Sequence, residues 1–409
     1  MQSPTIFICD EGTNEEFKNK ASLKKGLDII KKNSIQQSTK YKNNPSPSLY
    51  LLTLDNMSIS SQPFGKVQNE PVFKYTLINS LGMSVSILTY GAILQSLYVP
   101  DRNGTIEDAV LGFNTLEKYI QSDLYFGATC GRYANRIQNG SFELDSKKYT
   151  LNINNGAHSL HGGSQGFDQK LWEVQNIKEL SDKSSLSLKT LSLDGEEGYP
   201  GTLTLIVTFT LFQNINKLQI DYHATTSDKS TIINITNHSY FNLSGNLSCS
   251  IRNHIVQILA DRYCVVNGDA IPTGELRSVS LDSEMDFLQP KQIEDEIDSV
   301  QGLGYDHCYC FDHDSDKTLN TVAIVVEPQS GRRLICQTTQ PGLQFYTGNY
   351  IPNDLIGKNN LSYQKQCGFC LETQHYPDSP NQPSFPSTVL RNNEEYQHSC
   401  VYQFDTVTQ

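Results

Sequence analysis

Hydrophobic and polar positions alternate with a period of two along much of the chain that follows residue 72. The clearest alternation runs from Thr202 to Phe212, with leucine, valine and phenylalanine on one face and mainly threonine on the other. A short turn, residues 213–216, leads to a second run in which Leu218 and Tyr222 share the apolar face. Because successive side chains of a strand point to opposite faces, the two runs predict amphipathic strands joined as a hairpin.

Shorter runs of the same kind predict further strands, and no long run has the helical period. They comprise residues 84–99, 185–193, 230–235, 255–259, 322–327 and 333–338. The first of them leads into the turn-forming sequence Pro100–Gly104. Many strands separated by Gly, Asn and Pro turns are typical of a sandwich or a barrel. The pattern therefore predicts an all-β fold but leaves its topology open.

The first 62 residues have a different composition. They are polar and rich in Lys, Asn, Ser and Gln, and a cluster with two prolines at residues 43–47 interrupts any regular element. Such a composition buries little apolar surface, so we expect residues 1–62 to form a polar N-terminal extension that is disordered or loosely docked. A chain of 409 residues has room for several domains, but a large β-sandwich can be a single one. We therefore predict one β domain over residues 63–409.

The charge and the hydrophobicity of the chain argue against some classes of partner. The formal net charge is −12, whereas nucleic acid and anionic membranes both attract basic surface patches. No apolar stretch reaches the roughly 18 residues that span a bilayer. The first residues also lack the basic and apolar regions of a secretory signal. We therefore expect no nucleic-acid partner, no membrane partner and a cytoplasmic location.

The ten cysteines do not have the spacing of a zinc site or of a disulfide framework. The nearest approach to a zinc knuckle is Cys367-Gly368-Phe369-Cys370, a single pair set in an apolar run. Residues three apart in a strand point to opposite faces, so we interpret both cysteines as buried free thiols. This interpretation agrees with a reduced, cytosolic compartment.

Polar and titratable side chains are concentrated in a few short islands. The islands lie at Gly131–Ile137, Ser159–Gly163, Thr236–Gly245 and Leu371–Gln374. Together they supply two histidines, a carboxylate, an arginine and several amides, whereas no convincing nucleophile, metal cage or phosphate loop stands out. This inventory favours proton transfer on a neutral, hydroxyl-rich ligand.

His158 and His161 have the spacing of a metal-binding H-x-x-H pair. Catalytic zinc needs three protein ligands and an open position, and no third ligand is signalled here. Glycines at positions 156, 162 and 163 also disfavour the helix that would display both imidazoles on one face. We therefore predict neither a metal nor a cofactor, and we interpret His158 as peripheral.

The islands resemble those of the aldose 1-epimerase family, also called galactose mutarotases. Further similar stretches follow in the family's order between about Pro63 and about Phe404. They lie at residues 194–201, 305–307, 340–349, 376–378 and 385–387. The first sixty or so residues have no counterpart. The resemblance implies a large twisted β-sandwich, the galactose mutarotase-like supersandwich. It also implies interconversion of the α and β anomers of free hexoses such as galactose and glucose.

In that reaction a base takes the proton of the anomeric hydroxyl while an acid protonates the ring oxygen, and the opened ring then closes on its other face. The resemblance implies that Glu372 is the base and His238 the acid. Glu372 ends an apolar, strand-like run, where burial can tune the pKa of its carboxyl group. His238 follows the β run 232–235, and its polar sequence neighbours offer hydrogen bonds that would fix its tautomer.

The resemblance also implies a set of sugar-binding residues. Asn135 and Arg136 would hydrogen-bond sugar hydroxyls, for which a guanidinium group offers fixed planar donors. His161 would bind the sugar or assist catalysis, Asp306 would accept from two hydroxyls, and Gln344 would orient the ring. The implied ligand is a small-molecule aldose, bound by a monomer or a homodimer.

Three alternatives stand beside this interpretation. A catalytically inactive sugar-binding or regulatory protein of the same fold would have damaged acid or base positions, whereas Glu372 and His238 are both present. A sugar-phosphate mutarotase would need more basic side chains than Arg136 and the nearby Arg132. A relative of the glycoside hydrolases would use two positioned carboxylates, with Asp306 as the second, and a histidine partner fits that reaction less well.

Overall fold

The computed structural model describes residues 59–311 and 318–408. The predicted extension, residues 1–62, lies outside the described residues except for its last four. Of these, Ser60 already begins the first strand of the domain, so residues 60–62 belong to a sheet.

The described residues form a chain of short strands and one short α-helix. In chain order these elements are β1 (Ser60–Val67), β2 (Glu70–Ile78), β3 (Ser84–Leu88), β4 (Leu94–Pro100), β5 (Ile106–Asp108), α1 (Leu116–Gln121), β6 (Thr129–Cys130), β7 (Arg136–Ile137), β8 (Ser141–Leu144), β9 (Lys147–Thr150), β10 (Ser159–Leu160), β11 (Glu173–Glu179), β12 (Lys183–Ser192), β13 (Leu203–Phe212), β14 (Lys217–Thr226), β15 (Thr231–Ile232), β16 (Thr236–Asn237), β17 (Tyr240–Phe241), β18 (Ile255–Ile258), β19 (Arg262–Val266), β20 (Pro272–Ser278), β21 (Lys291–Gln292), β22 (Asp306–Cys310), β23 (Asn320–Val326), β24 (Arg332–Thr338), β25 (Gly342–Tyr346), β26 (Leu355–Ile356), β27 (Ser362–Tyr363), β28 (Phe369–Gln374), β29 (Val389–Leu390) and β30 (Glu395–Thr406).

Three large sheets organise these strands. One sheet has nine strands in the order β11-β12-β13-β14-β30-β24-β23-β18-β21, and another has six in the order β17-β28-β25-β22-β19-β20. A third sheet has the five strands β1 to β5 in sequence order. The nine-stranded order inserts the C-terminal strand β30 between β14 and β24, so the last strand of the chain completes the middle of this sheet. The predicted all-β sandwich is confirmed.

The predicted hairpin is confirmed as β13 and β14, which pair antiparallel from Leu203–Thr226 to Leu211–Leu218. The alternating face of β13 is buried throughout, because it covers the main core of the sandwich. That core also contains apolar residues of the six-stranded sheet, including Tyr309, Phe345 and Phe369. The nine-stranded and six-stranded sheets therefore share one apolar layer, which is what holds a β-sandwich together.

The run 84–99 is not one strand but two, β3 and β4. The chain leaves the sheet at Gly91, whose φ of +66° lies in the left-handed region. A Cβ atom at this glycine would come within 2.4 Å of the backbone oxygen of Asp168. This turn is specified by tertiary contact, which is why the alternating pattern alone did not reveal it.

The run 230–235 contributes even less regular structure than predicted, since only Thr231–Ile232 forms a strand. The other predicted runs correspond to β12, β18, β23 and β24 with boundaries shifted by one or two residues. No helix among the described residues is long and apolar enough to cross a membrane.

Candidate active site

A cavity of about 630 Å³ opens beside one end of the six-stranded sheet. Its wall contains most of the residues that the sequence singles out, namely Asn135, Arg136, His161, His238, Asp306 and Glu372. Gln344 is the exception, because it does not line the cavity. The islands that are far apart in the sequence therefore converge on one space, which is large enough for a small organic ligand.

Three acidic or amide side chains come from neighbouring strands of the six-stranded sheet. Asp306 begins β22, Gln344 lies in β25, and Glu372 lies in β28. Gln344 and Glu372 are directly paired across the two strands. Gln344 Nε2 donates a hydrogen bond to Asp306 Oδ1 at 2.7 Å. Gln344 therefore fixes the orientation of the Asp306 carboxylate, and its predicted contact with the sugar ring stays a prediction.

His238 is held by main-chain hydrogen bonds on both sides of its peptide unit. Its N–H donates to Ala128 O at 2.8 Å, and its carbonyl oxygen accepts from Gly127 N at 2.9 Å. The Tyr240 ring is stacked on the imidazole with a centroid distance of 5.0 Å, and the Tyr125 ring is stacked at 5.8 Å. These contacts leave the edge of the imidazole, with its two nitrogens, as the part that meets other polar groups.

The imidazole of His238 and the carboxyl group of Glu372 form a buried pair. His238 Nε2 lies 3.5 Å from Glu372 Oε1, and only 5% and 2% of the two residues are exposed. Burial lowers the pKa of His238 from 6.5 to about 4. Burial, and next the charge of Asp306, raise the pKa of Glu372 well above its usual value. Both shifts favour the neutral forms, so the pair holds one exchangeable proton on two groups.

His161 meets Asn135 in a compact loop arrangement. Both residues have positive φ values, 51° and 65°, in the left-handed region, where asparagine and histidine are enriched among the non-glycine residues. The Asn135 backbone N–H donates to His161 Nδ1 at 3.2 Å. Nδ1 is therefore the acceptor, so the neutral ring carries its proton on Nε2. Burial lowers the pKa of His161 well below its usual value, and His238 and Arg136 lower it further.

Arg136 lies between two polar partners at the cavity wall. Its Nε donates to Asn155 Oδ1 at 3.1 Å, and its Nη2 lies 3.9 Å from Asp306 Oδ2. The side chain of Arg136 is 11% exposed and that of Asp306 is 22% exposed, so both still face the cavity. They present planar donors and carboxylate acceptors side by side, an arrangement that suits a ligand with neighbouring hydroxyl groups.

Ligand atoms of His161, His238 and Glu372 lie within 4.8 Å of one another, as a metal site would require. The hydrogen bonding does not fit a metal, because His161 Nδ1 already accepts from Asn135. The other nitrogen of this ring then carries a proton and offers no lone pair. His238 and Glu372, which are distant in sequence, thus supply the further ligands that the sequence did not signal beside His161. The tautomer of His161 nevertheless opposes coordination of a metal ion.

Several lining residues were missed by the sequence analysis. Tyr125, Tyr240, Tyr346 and Tyr350 all line the cavity, and Tyr125 has an unusual φ of +56°. Tyr240 lies in the island Thr236–Gly245 and Tyr346 in the family-like stretch 340–349, which was the available signal, whereas nothing in the sequence sets Tyr125 and Tyr350 apart from tyrosines that pack in strands. His158, interpreted as peripheral, also lines the cavity, where its Nε2 lies 3.8 Å from Asp269 Oδ2.

Comparisons with known proteins point to a single family. Residues 74–403 match the family model described as aldose 1-epimerase. The chain is 42% identical to human galactose mutarotase over 349 residues, and this alignment covers 85% of this chain and 98% of the relative. It is 37% identical over 341 residues to the aldose 1-epimerase of Escherichia coli K12, which covers 82% of this chain and 96% of the relative.

Solved structures give the same result. The galactose 1-epimerase of Lactobacillus acidophilus superposes with a TM-score of 0.75 at 27% identity, over 86% of this chain and all of that chain. An aldose epimerase homologue from C. elegans superposes with a TM-score of 0.74 at 31% identity, over 82% of this chain and 99% of that chain.

Proposed function

The chain belongs to the aldose 1-epimerase family, and from this premise we propose that Glu372 and His238 interconvert the anomers of free hexoses, galactose and glucose first. It is an isomerase that acts on sugar anomers. The observation that carries the assignment of the two residues is their contact, with His238 Nε2 at 3.5 Å from Glu372 Oε1 in the wall of the cavity.

In the proposed reaction the proton of the pair first moves from the carboxyl group of Glu372 to His238 Nε2, which leaves Glu372 as a carboxylate. Glu372 then takes the proton of the anomeric hydroxyl while His238 gives its Nε2 proton to the ring oxygen. The C1–O5 bond breaks, the C1–C2 bond rotates, and the two groups exchange roles as the ring closes. Glu372 Oε2 is buried without a hydrogen-bond partner in the described part of the chain, so it has lone pairs available to a hydroxyl group. No electrons are transferred, and the one proton shared by the pair balances each step.

We assign hydroxyl binding to Asn135, Arg136, His161 and Asp306. Arg136 and Asp306 offer a donor and an acceptor to neighbouring hydroxyls, and the Nε2–H of His161 is a further donor. Gln344 acts on the sugar indirectly, through its hydrogen bond to Asp306. These contacts would hold the ring with its anomeric hydroxyl and ring oxygen next to the base and the acid.

Free sugars fit this cavity better than sugar phosphates do. Arg136 is the only lysine or arginine among the described residues that line it, whereas Asp123, Asp269, Asp306 and Glu372 are all acidic. A phosphate dianion would meet more negative than positive charge, which disfavours its binding. The acid and base groups, His238 and Glu372, are both present and in contact, which also argues against an inactive sugar-binding protein.

Polarimetry of freshly dissolved α-D-galactose, α-D-glucose and α-D-glucose 6-phosphate tests the proposal. We expect the protein to accelerate the first two above the buffer rate and to leave the phosphate near that rate. Acceleration of the phosphate alone would contradict the proposed substrate class. Absence of acceleration with all three, in a folded sample, would favour a binding protein.

We also propose that residues 1–54 are not needed for catalysis, because every assigned residue and its strand lie later in the chain. A chain that begins at Asp55 preserves β1 and should retain the full mutarotation rate. Aggregation or a slower rate would show that the preceding segment supports the fold. The cytoplasmic location, the monomeric or homodimeric state and the lack of a nucleic-acid partner stay predictions.

A further inference from the structure

The thiol of Cys370 contacts the nitrogen of His238 that faces away from Glu372. Cys370 Sγ lies 3.5 Å from His238 Nδ1, within hydrogen-bonding distance for sulfur, and Cys370 is completely buried. We propose that Cys370 is a positioning residue, whose sulfur accepts the Nδ1–H of His238 and so keeps Nε2 as the nitrogen that exchanges protons. This inference rests on the proposed acid role of His238.

The geometry of β28 accounts for the two contacts at once. Cys370 and Glu372 are two residues apart in this strand, so their side chains point to the same face about 7 Å apart. The imidazole of His238 lies between them, with Nδ1 towards the thiol and Nε2 towards the carboxyl group. One short strand thereby supplies a partner for each ring nitrogen.

Sequence neighbours do not perform this task, although the sequence suggested that they would. Ser239 Oγ donates to Asn237 Oδ1 at 2.6 Å, and Asn237 Nδ2 donates to Gly127 O at 2.9 Å. These groups are thus engaged with each other and with the main chain. Tyr125, Tyr240 and Tyr346 contact the imidazole as rings rather than through a hydrogen bond to Nδ1.

The proton inventory of the reaction explains why Nδ1 should stay protonated. When His238 gives a proton from Nε2, the remaining neutral ring must carry its hydrogen on Nδ1. When Nε2 takes a proton back, Nδ1 keeps its hydrogen, so the contact with sulfur is the same in both states. Sulfur is a weak acceptor, so it selects this tautomer without holding the imidazolium form as firmly as a carboxylate would.

Four variants test this role. Cys370→Ser retains an acceptor, whereas Cys370→Ala and Cys370→Val do not, and Val keeps much of the side-chain volume. Cys367→Ala is the control, because it removes another buried thiol from the same apolar cluster and leaves the contact between Cys370 and His238 in place. Each variant is assayed by polarimetry with galactose, and the tautomer of His238 is read from ¹⁵N chemical shifts of histidine-labelled protein.

We expect the Ala and Val variants to lose about tenfold in kcat with KM changed less than twofold, which corresponds to about 1.4 kcal/mol of barrier. Their His238 signal should shift towards the Nε2–H tautomer, while the Ser and Cys367→Ala variants keep the Nδ1–H tautomer and most of kcat. An Nδ1–H tautomer that survives in both Ala and Val, or an Nε2–H tautomer in the wild type, overturns the proposal.

The NMR measurement distinguishes a failure of the proposed function from a failure of the role of Cys370. If the wild-type protein shows the Nδ1–H tautomer but no mutarotation, the proposed function fails while the contact stands. If the wild type is active and the tautomer does not depend on residue 370, only the role of Cys370 fails. If the Ala variant does not fold, the comparison of Val with Ser decides the question by itself.

Discussion

Replacing Glu372 with glutamine removes the proposed base while it preserves the shape of the side chain. The carboxyl group lies 3.5 Å from His238 Nε2 and is only 2% exposed, so bulk water has little access to replace it. Assistance by a positioned acid or base accelerates a reaction by roughly 10² to 10⁴. We therefore expect Glu372→Gln to lower kcat by at least about a hundredfold, or about 3 kcal/mol of barrier.

The same substitution should not destabilise the fold at neutral pH. Burial raises the pKa of Glu372 well above its usual 4.5. Below pH 4.5 both the folded and the unfolded chain hold this proton. As pH rises from 4.5 towards the folded pKa, only the unfolded chain releases the proton, which costs the native state up to about 1.4 kcal/mol per pH unit. Glutamine does not titrate, so the variant should gain in relative stability across this window.

The two expectations are measured on the same samples. Initial rates of α-D-galactose mutarotation, corrected for the buffer rate, give kcat and KM. Thermal unfolding at pH 5 and at pH 7 gives the relative stability. Glu143→Gln, on the exposed side of β8, is the control for the chemical change. Binding of sugar should persist in Glu372→Gln, because the hydroxyl contacts of Asn135, Arg136 and Asp306 are unchanged.

A near-normal kcat in Glu372→Gln would refute the assignment of the base. A low kcat accompanied by a lower unfolding temperature at pH 7 would instead show that the carboxyl group supports the structure. The predicted combination, a slow enzyme that is at least as stable as the wild type, is expected of a buried group kept for chemistry rather than for stability.

Three further outcomes follow from the same geometry. His238→Asn should lower kcat at least about a hundredfold. The double variant with Glu372→Gln should lose far less kcat than the product of the two single losses, because both groups act in one proton-coupled step. A loss equal to that product would argue for independent roles. Gln344→Leu removes the hydrogen bond to Asp306 and should lower kcat/KM by roughly tenfold to a hundredfold, chiefly through KM, as expected for a bond to a charged group; an unchanged KM would contradict its role in orienting that carboxylate. Burial lowers the pKa of His254 to about 4 from 6.5, so unfolding takes up a proton between these values and stability falls as pH falls through the window. His254→Gln should lessen the slope of the unfolding free energy with pH by up to about 1.4 kcal/mol per unit, measured by urea titrations at pH 4.5 to 7, and an unchanged slope would exclude this site as a source.

Much of the fold is determined locally, because the alternation of apolar and polar residues is a property of each strand. The hairpin of β13 and β14 needed only its own pattern and a short turn. The break between β3 and β4 depends on the close approach of Gly91 to the backbone of Asp168, which is distant in sequence. The local alternation of apolar and polar residues does not indicate this contact.

The active site likewise depends partly on the local sequence and partly on the tertiary structure. The reactive residue types stand out in the sequence, and the family's motifs indicate Glu372 and His238. Only the tertiary structure brings Cys370 to His238, because the two are 132 residues apart and meet through the packing of separate strands. It likewise joins Gln344 to Asp306 by a hydrogen bond across neighbouring strands. The sequence by itself determines which chemical group each position carries. The hydrogen-bond partners of that group, its burial and therefore its pKa depend on which strands become neighbours in the tertiary structure.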